Sequence, residues 1–188
     1  MSPPENELPG GAGVSLVLGQ SDDAAVGITN VEGFSTGWRF TLAVRLRRAR
    51  AGGRLHMLVS PHFEVALEER LLVGLAYADG RRASNLHDAW PDETTDDDRL
   101  ELRPQDGGGG DRTHHQTYWV YPLPPEGPVT FVLAWPSFGL PETHTEFDSA
   151  AIRAAAERSR TLWPPQPPEE PEEPPPPPRP TEGWFSDQ

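Results

Sequence analysis

From Trp38 to Arg47 the chain alternates without a break. Trp38, Phe40, Leu42, Val44 and Leu46 fall on one parity, and Arg39, Thr41, Ala43, Arg45 and Arg47 on the other. Successive side chains of a strand point to opposite faces, so this run predicts a strand with one face in a core and the other toward water. Half-buried strands of this kind belong to antiparallel sheets. Ser35-Thr36-Gly37 supplies the turn before it.

The rest of the chain is read outward from that strand. Residues 14–18 and 25–31 predict two strands upstream, joined through Gly19 to Asp23. Downstream, 71–78 and 81–86 flank Asp79-Gly80, a dipeptide that accepts the positive φ of a tight hairpin turn. Residues 55–60 read as a further strand, and 61–69 fit neither period. Residues 87–113 read as a long polar insert, with Leu100 and Leu102 marking one short strand. Two aromatic-rich strands follow at 117–123 and 129–135, with Pro136 ending the second and an edge strand expected at 143–147. One helix is predicted at about 149–160. Asp148 is its N-cap, Phe147 and Ile152 form a staple, Ala155, Ala156 and Leu162 extend its apolar face, and Trp163 closes it.

Short strands with turn signals between them, and no βαβ alternation, predict a mainly β fold. The expected form is an antiparallel two-layer sandwich of immunoglobulin-like type with one short C-terminal helix, a closed barrel being the alternative. The folded part is expected over 13–163, after a loose segment 1–12 rich in Pro and Gly.

From Pro164 the composition changes. Residues 164–188 hold 11 of the 23 prolines, six acids and a single base, Arg179. Proline lacks an N–H and fixes φ, so the run Pro174–Pro178 favours polyproline II, and few apolar groups remain to offset the entropy of ordering. An acidic Pro-rich tail, disordered by itself, is therefore expected over 164–188. Near its far end Trp184 and Phe185 form an aromatic tip.

Charge bounds the partners. The formal net charge is -13, and all 16 cationic residues are arginine. Phosphate backbones and anionic lipid repel such a chain, so neither nucleic acid nor membrane is the expected partner. Cysteine is absent, which removes disulfides, thiolate metal sites and cysteine nucleophiles. The start has no basic and apolar leader, and the longest apolar runs fall well below the ~20 residues of a bilayer span, so the expectation is a soluble cytoplasmic protein.

The chemical motifs are sparse. Six histidines occur, without HExxH or HxH spacing. His114 and His115 are adjacent and, on a strand, would face opposite ways. Asp96 and Asp98 sit in the acidic stretch 92–98, which could offer oxygen ligands to calcium or another divalent metal, although the EF-hand pattern is missing. These four residues are the metal candidates, against a reading as solvated surface. Gly107–Gly110 is followed by Asp111-Arg112, where a phosphate loop needs Lys and Ser/Thr, so it reads as a flexible linker. Gly33-Phe34-Ser35-Thr36-Gly37 has GxSxG spacing, but it stands as a turn between two predicted strands, whereas a nucleophile elbow needs a strand-to-helix turn, so the hydrolase elbow is unsupported. Arg45, Arg47, Arg48, Arg50, Arg54, Arg81 and Arg82 would form a basic face if their segments were neighbours. Pro174–Pro178 with Arg179 matches the PxxPxR pattern that aromatic grooves read in polyproline II.

The strings Thr117–Pro128, Ala134–Pro136, Pro141–Thr143 and Tyr77–Asn85 are similar to uncharacterised β-sandwich-like proteins of high-GC bacteria, over most of 14–163. That resemblance implies no activity and no site residue. The functional expectation is a non-catalytic protein-interaction module, with Trp184, Phe185, Arg179, Arg45 and Arg47 as partner-binding residues and no cofactor. The alternative is a metal- or calcium-dependent enzyme or binding domain built on 92–98 and nearby histidines.

Overall fold

The computed structural model describes residues 2–49, 55–60, 63–86 and 99–164. In chain order the elements are β1 (Glu7–Leu8), β2 (Gly10–Gly11), β3 (Leu16–Gln20), β4 (Ala24–Gly33), β5 (Trp38–Leu46), α1 (Leu55–Val59), β6 (Leu72–Tyr77) and β7 (Arg82–Ser84). They continue with β8 (Glu101–Gly109), β9 (Thr113–Tyr121), β10 (Pro128–Trp135), a 3-10 turn (Pro136–Phe138), β11 (Leu140–Asp148), α2 (Ser149–Glu157) and β12 (Arg160–Thr161). The fold is mainly β, and every strand pairing in it is antiparallel.

Two large sheets carry the structure. One is ordered β2-β4-β5-β9-β8, with β3 also on β4; the other is ordered β11-β10-β6-β7. β5 has the predicted alternation: Trp38, Phe40, Leu42, Val44 and Leu46 are buried, and the arginines between them are not. Its inner face meets β10 of the other sheet, where Phe40 lies edge-on to Phe131 at 5.3 Å and Trp38 at 6.2 Å. Residues of both sheets therefore share one apolar cluster. Fully burying one large apolar side chain is worth about 1.5–3 kcal/mol, so this shared layer dominates the stability.

A polar relay ties the sheets at one end. Trp38 Nε1 donates to Tyr77 Oη at 2.8 Å, and that hydroxyl donates to Pro122 O at 2.7 Å. The buried Asn85 prolongs the β6–β7 pairing, accepting from Val73 N and donating to Leu71 O.

Several expectations need correction. Residues 55–60 form a helical turn, because Leu55, Leu58 and Val59 are buried at i, i+3 and i+4 spacing. The described part of the expected insert, residues 99–113, is mostly sheet. β8 and β9 make a long hairpin, and Gly107, Gly108 and Gly109 belong to β8 instead of a linker. A Cβ at Gly109 would collide with Thr113 O, so glycine is needed for the strands to close at their turn. A register shift between Pro104 and Gly107 is filled by the buried Gln116, whose Nε2 donates to Gln105 O and Asp106 O. Residues 87–98 lie outside the described residues.

The segment before Gly13 is also paired. β1 pairs with β12, and β2 pairs with Gly33 and Glu32 of β4. α2 is capped by Asp148, whose Oδ1 accepts from Ala150 N at 2.9 Å, and buries Ile152, Ala155 and Ala156. It packs on β4 where a Cβ at Gly33 would collide with Ala156 N. The helix stops at Glu157 because the chain turns out to pair with β1, which leaves Leu162 and Trp163 exposed instead of on the helix face. No helix among the described residues is long and apolar enough to cross a membrane. The proposed tail from residue 165 onward lies outside the described residues.

Candidate functional site

On the sheet β11-β10-β6-β7, inward positions carry Val73, Leu75, Tyr77, Val129, Phe131 and Leu133, all buried. The outward positions between them are short. Cross-strand pairing sets them in two rows. One runs Ser84, Gly74, Val132, His144; the other runs Arg82, Ala76, Thr130, Glu146. Gly74 contributes no side chain and Ala76 only a methyl, so the centre of the face sinks between its flanks. The result is a groove of about 480 Å³ lined by Gly74, Ala76, Arg82, Ser84, Thr130, Val132 and His144.

The groove has a floor of small side chains, and the row that crosses it through Ala76 and Thr130 ends in opposite charges: Arg82, which lines the groove, and Glu146, one strand beyond Thr130 and outside the lining. Arg82, on β7, is exposed, and so is Glu146, on β11. Neither makes an ion pair among the described residues. His144 Nε2 lies 2.8 Å from Glu142 Oε1 on the same outer face. Three strand spacings separate the ends, about 14 Å. Ser84 and His144 close one row from opposite sides, too far apart for the ~3 Å contact a serine nucleophile needs with its base. The geometry suits a short extended segment with small side chains, an acid toward β7 and a base toward β11.

The residues singled out in the sequence lie elsewhere. Arg45 is exposed near the end of β5, its Nη1 bonded to Val44 O, and Arg47 follows with its N–H bonded to Asp23 O. Arg81 and Arg82 belong to the other sheet. The Trp38–Tyr77 bond sets their hairpin at the opposite end of β5, so the two arginine groups do not share a face. Arg50 and Arg54 lie outside the described residues, as do Asp96, Asp98, Arg179, Trp184 and Phe185.

The adjacent histidines take opposite faces of β9. His115 is exposed, while His114 opposes Val44 on the inner face and is 3% exposed. Its Nε2 has no hydrogen-bond partner among the described residues. Burial pulls the His114 pKa down, and charge on His115, whose ring centroid is 6.3 Å away, and on His56 adds to the effect. Tyr118, two turns of the pleat along the same face, is fully buried, and burial pushes its pKa well up against the lowering pull of Asn85. Among the described residues no three His, Asp or Glu side chains are placed to hold a metal.

The groove itself escaped the sequence reading. Its signal is the small size of the outward residues in 72–76 and 130–132, which gains meaning only once those strands are known to be neighbours. No protein-family model, curated protein or solved structure matches the chain.

Proposed function

We propose that the chain is a non-catalytic protein-interaction module. In this reading it is a cytoplasmic two-layer sandwich of immunoglobulin-like type that receives an extended polypeptide segment in the β6–β10 groove. Its Pro-rich acidic tail presents Trp184 and Phe185 to a protein partner. The observation that carries the reading is the groove: a floor of Gly74, Ala76, Thr130 and Val132, crossed by a row whose ends, Arg82 and Glu146, make no ion pair among the described residues. Small-residue floors let an extended backbone approach closely, and charged ends set its direction. The net charge of -13 argues against nucleic acid and anionic lipid as partners.

The test begins with a displayed library of extended peptides panned against the purified full chain. Selected peptides are expected to lose affinity by about tenfold or more, some 1.4 kcal/mol, in Gly74→Leu. That substitution fills the groove without crowding the fold, since a Cβ at Gly74 meets only ordinary contacts of 3.5 Å and more. Peptides that bind wild type and Gly74→Leu equally would remove the groove from the reading. Partner capture that is unchanged by Trp184→Ala with Phe185→Ala would remove the tail.

One observation favours a second reading, a metal- or calcium-dependent enzyme or binding domain using 92–98 with His114 or His115. It is the Nε2 of the buried His114, which has no hydrogen-bond partner among the described residues. Stoichiometric metal in the purified protein, lost in Asp96→Asn with Asp98→Asn, would support it. Metal-free protein whose melting ignores chelator would end it.

A further inference from the structure

We infer that the groove's occupant is the chain's own segment Arg179-Pro180-Thr181-Glu182, docked across the strands with Glu182 on Arg82 and Arg179 on Glu146. The inference rests on the groove reading and names its ligand.

Charge complementarity carries it. The row that crosses the groove through Ala76 and Thr130 ends in Arg82 and Glu146, about 14 Å apart, and a base and an acid flanking small side chains complement it. Residues 164–188 contain one base, Arg179, and the first acid after it is Glu182, with only Pro180 and Thr181 between. In polyproline II geometry the rise is about 3.1 Å per residue, so the two Cα atoms lie ~9 Å apart, and their long side chains cover the rest. The polarity is fixed, because Arg82 and Glu146 are the ends of a single cross-strand row through Ala76 and Thr130. Of the remaining acids of the segment, Glu169, Glu170, Glu172 and Glu173 precede the proline run and Asp187 follows the aromatic pair, so none need enter the groove.

Reach and entropy allow it. From Pro164 to Arg179 a polyproline II chain extends about 46 Å, more than the ~40 Å diameter of a compact domain of this size. Pro174–Pro178 stiffens the approach, which lowers the cost of ordering the four residues that follow. Both ion pairs are solvent-exposed, so the contact is weak and salt-sensitive, as befits one that a partner can displace. Trp184 and Phe185 then lie just beyond the β7 end of the groove, and a partner that seizes them would pull Glu182 off Arg82.

The chain has no cysteine, so Ser186→Cys accepts a single nitroxide on the full-length protein. Amide broadening is expected at Gly74, Ala76, Thr130 and Val132, lost in Arg82→Glu or in Glu182→Arg, and recovered when the two are combined. In the same full chain, Glu182→Arg should tighten binding of library-selected groove peptides by about threefold to fivefold, because the internal competitor is released. Broadening that is absent, that centres on Arg45 and Arg47, or that ignores the charge swaps overturns the inference. So does equal broadening from nitroxide chains mixed with unlabelled ones, which would make the contact intermolecular. Peptides that bind the groove with affinity indifferent to Glu182→Arg would sink this inference and leave the groove standing; peptides indifferent to Gly74→Leu would sink the groove reading itself.

Discussion

The two large sheets share one core but treat their outer faces differently. On the six-stranded sheet, Trp119 lies on the outer row between Arg39 and Arg103 and is nonetheless fully buried. Phe34 closes over it edge-on at 5.3 Å, Arg39 lies over the Phe34 ring, and the Arg39–Glu32 and Arg103–Glu101 pairs complete the cover. On the four-stranded sheet the corresponding rows hold Gly74, Ala76, Thr130 and Val132, and nothing among the described residues lies across them. The contrast shows that a sheet face is sealed or left open by the lengths of its outward side chains. Burial of the inner face has no say in it.

Four substitutions can break or sharpen this contrast. The largest effect belongs to the shared inner layer. Trp38→Ala should cost about 3–5 kcal/mol in urea unfolding, because it removes a fully buried indole and leaves a cavity between the sheets. A cost under ~1 kcal/mol would mean that the sheets do not stand on a common core.

Next comes the tie at their end. Tyr77→Phe should cost about 1–3 kcal/mol, since it leaves the buried Trp38 indole N–H without its acceptor and removes the donor to the part-buried Pro122 carbonyl. Trp38→Phe with Tyr77→Phe should lose less than the two single changes added together, which a double-mutant cycle would read directly.

The third concerns pH. His114 has a folded-state pKa below its unfolded value, so the unfolded chain binds the extra proton first. Stability should therefore fall as pH drops below about 6.5, and keep falling until the depressed folded pKa is reached. His114→Leu should flatten the change in melting temperature between pH 7.5 and 5.5. An unaltered slope would show that other groups set the acid response.

The smallest stability effect is the most informative about the groove. Gly74→Leu should leave stability unchanged or raise it by up to about 1 kcal/mol, because glycine weakens a strand interior and this position faces outward. A clear loss of stability would mean that the face is packed in solution, and so not an open site.

Much of the strand content was legible because period two is a local property. The alternation of β5, the pair around Asp79-Gly80, the aromatic strands β9 and β10 and the Asp148 cap could each be read from neighbouring residues alone. The failures have a common cause. Leu55–Val59 is five residues long, too short for periodicity to separate strand from helical turn. β8 contains Pro104 and three glycines, which have poor strand propensity, and it exists because β9 offers a partner along its whole length. β1 and β12 are two residues each and stabilise one another across the length of the chain.

The site was less legible than the fold. The arginines of two separate segments would form one basic face only if those segments were neighbours, and the Trp38–Tyr77 bond parts them by the length of β5. The groove residues looked like nothing because each is small and they come from separate stretches. Sequence by itself determined which residues face inward, where strands turn, where α2 begins and that the chain is strongly acidic. These depend on period, cap chemistry and charge, all fixed within a few residues. Tertiary structure decided that Gly74 and Ala76 lie beside Thr130 and Val132, that Arg82 and Glu146 end one row, and that His114 is buried without a hydrogen-bond partner among the described residues. Those depend on which strands pair and in what register, and pairing follows from the fit of whole sheets around a common core.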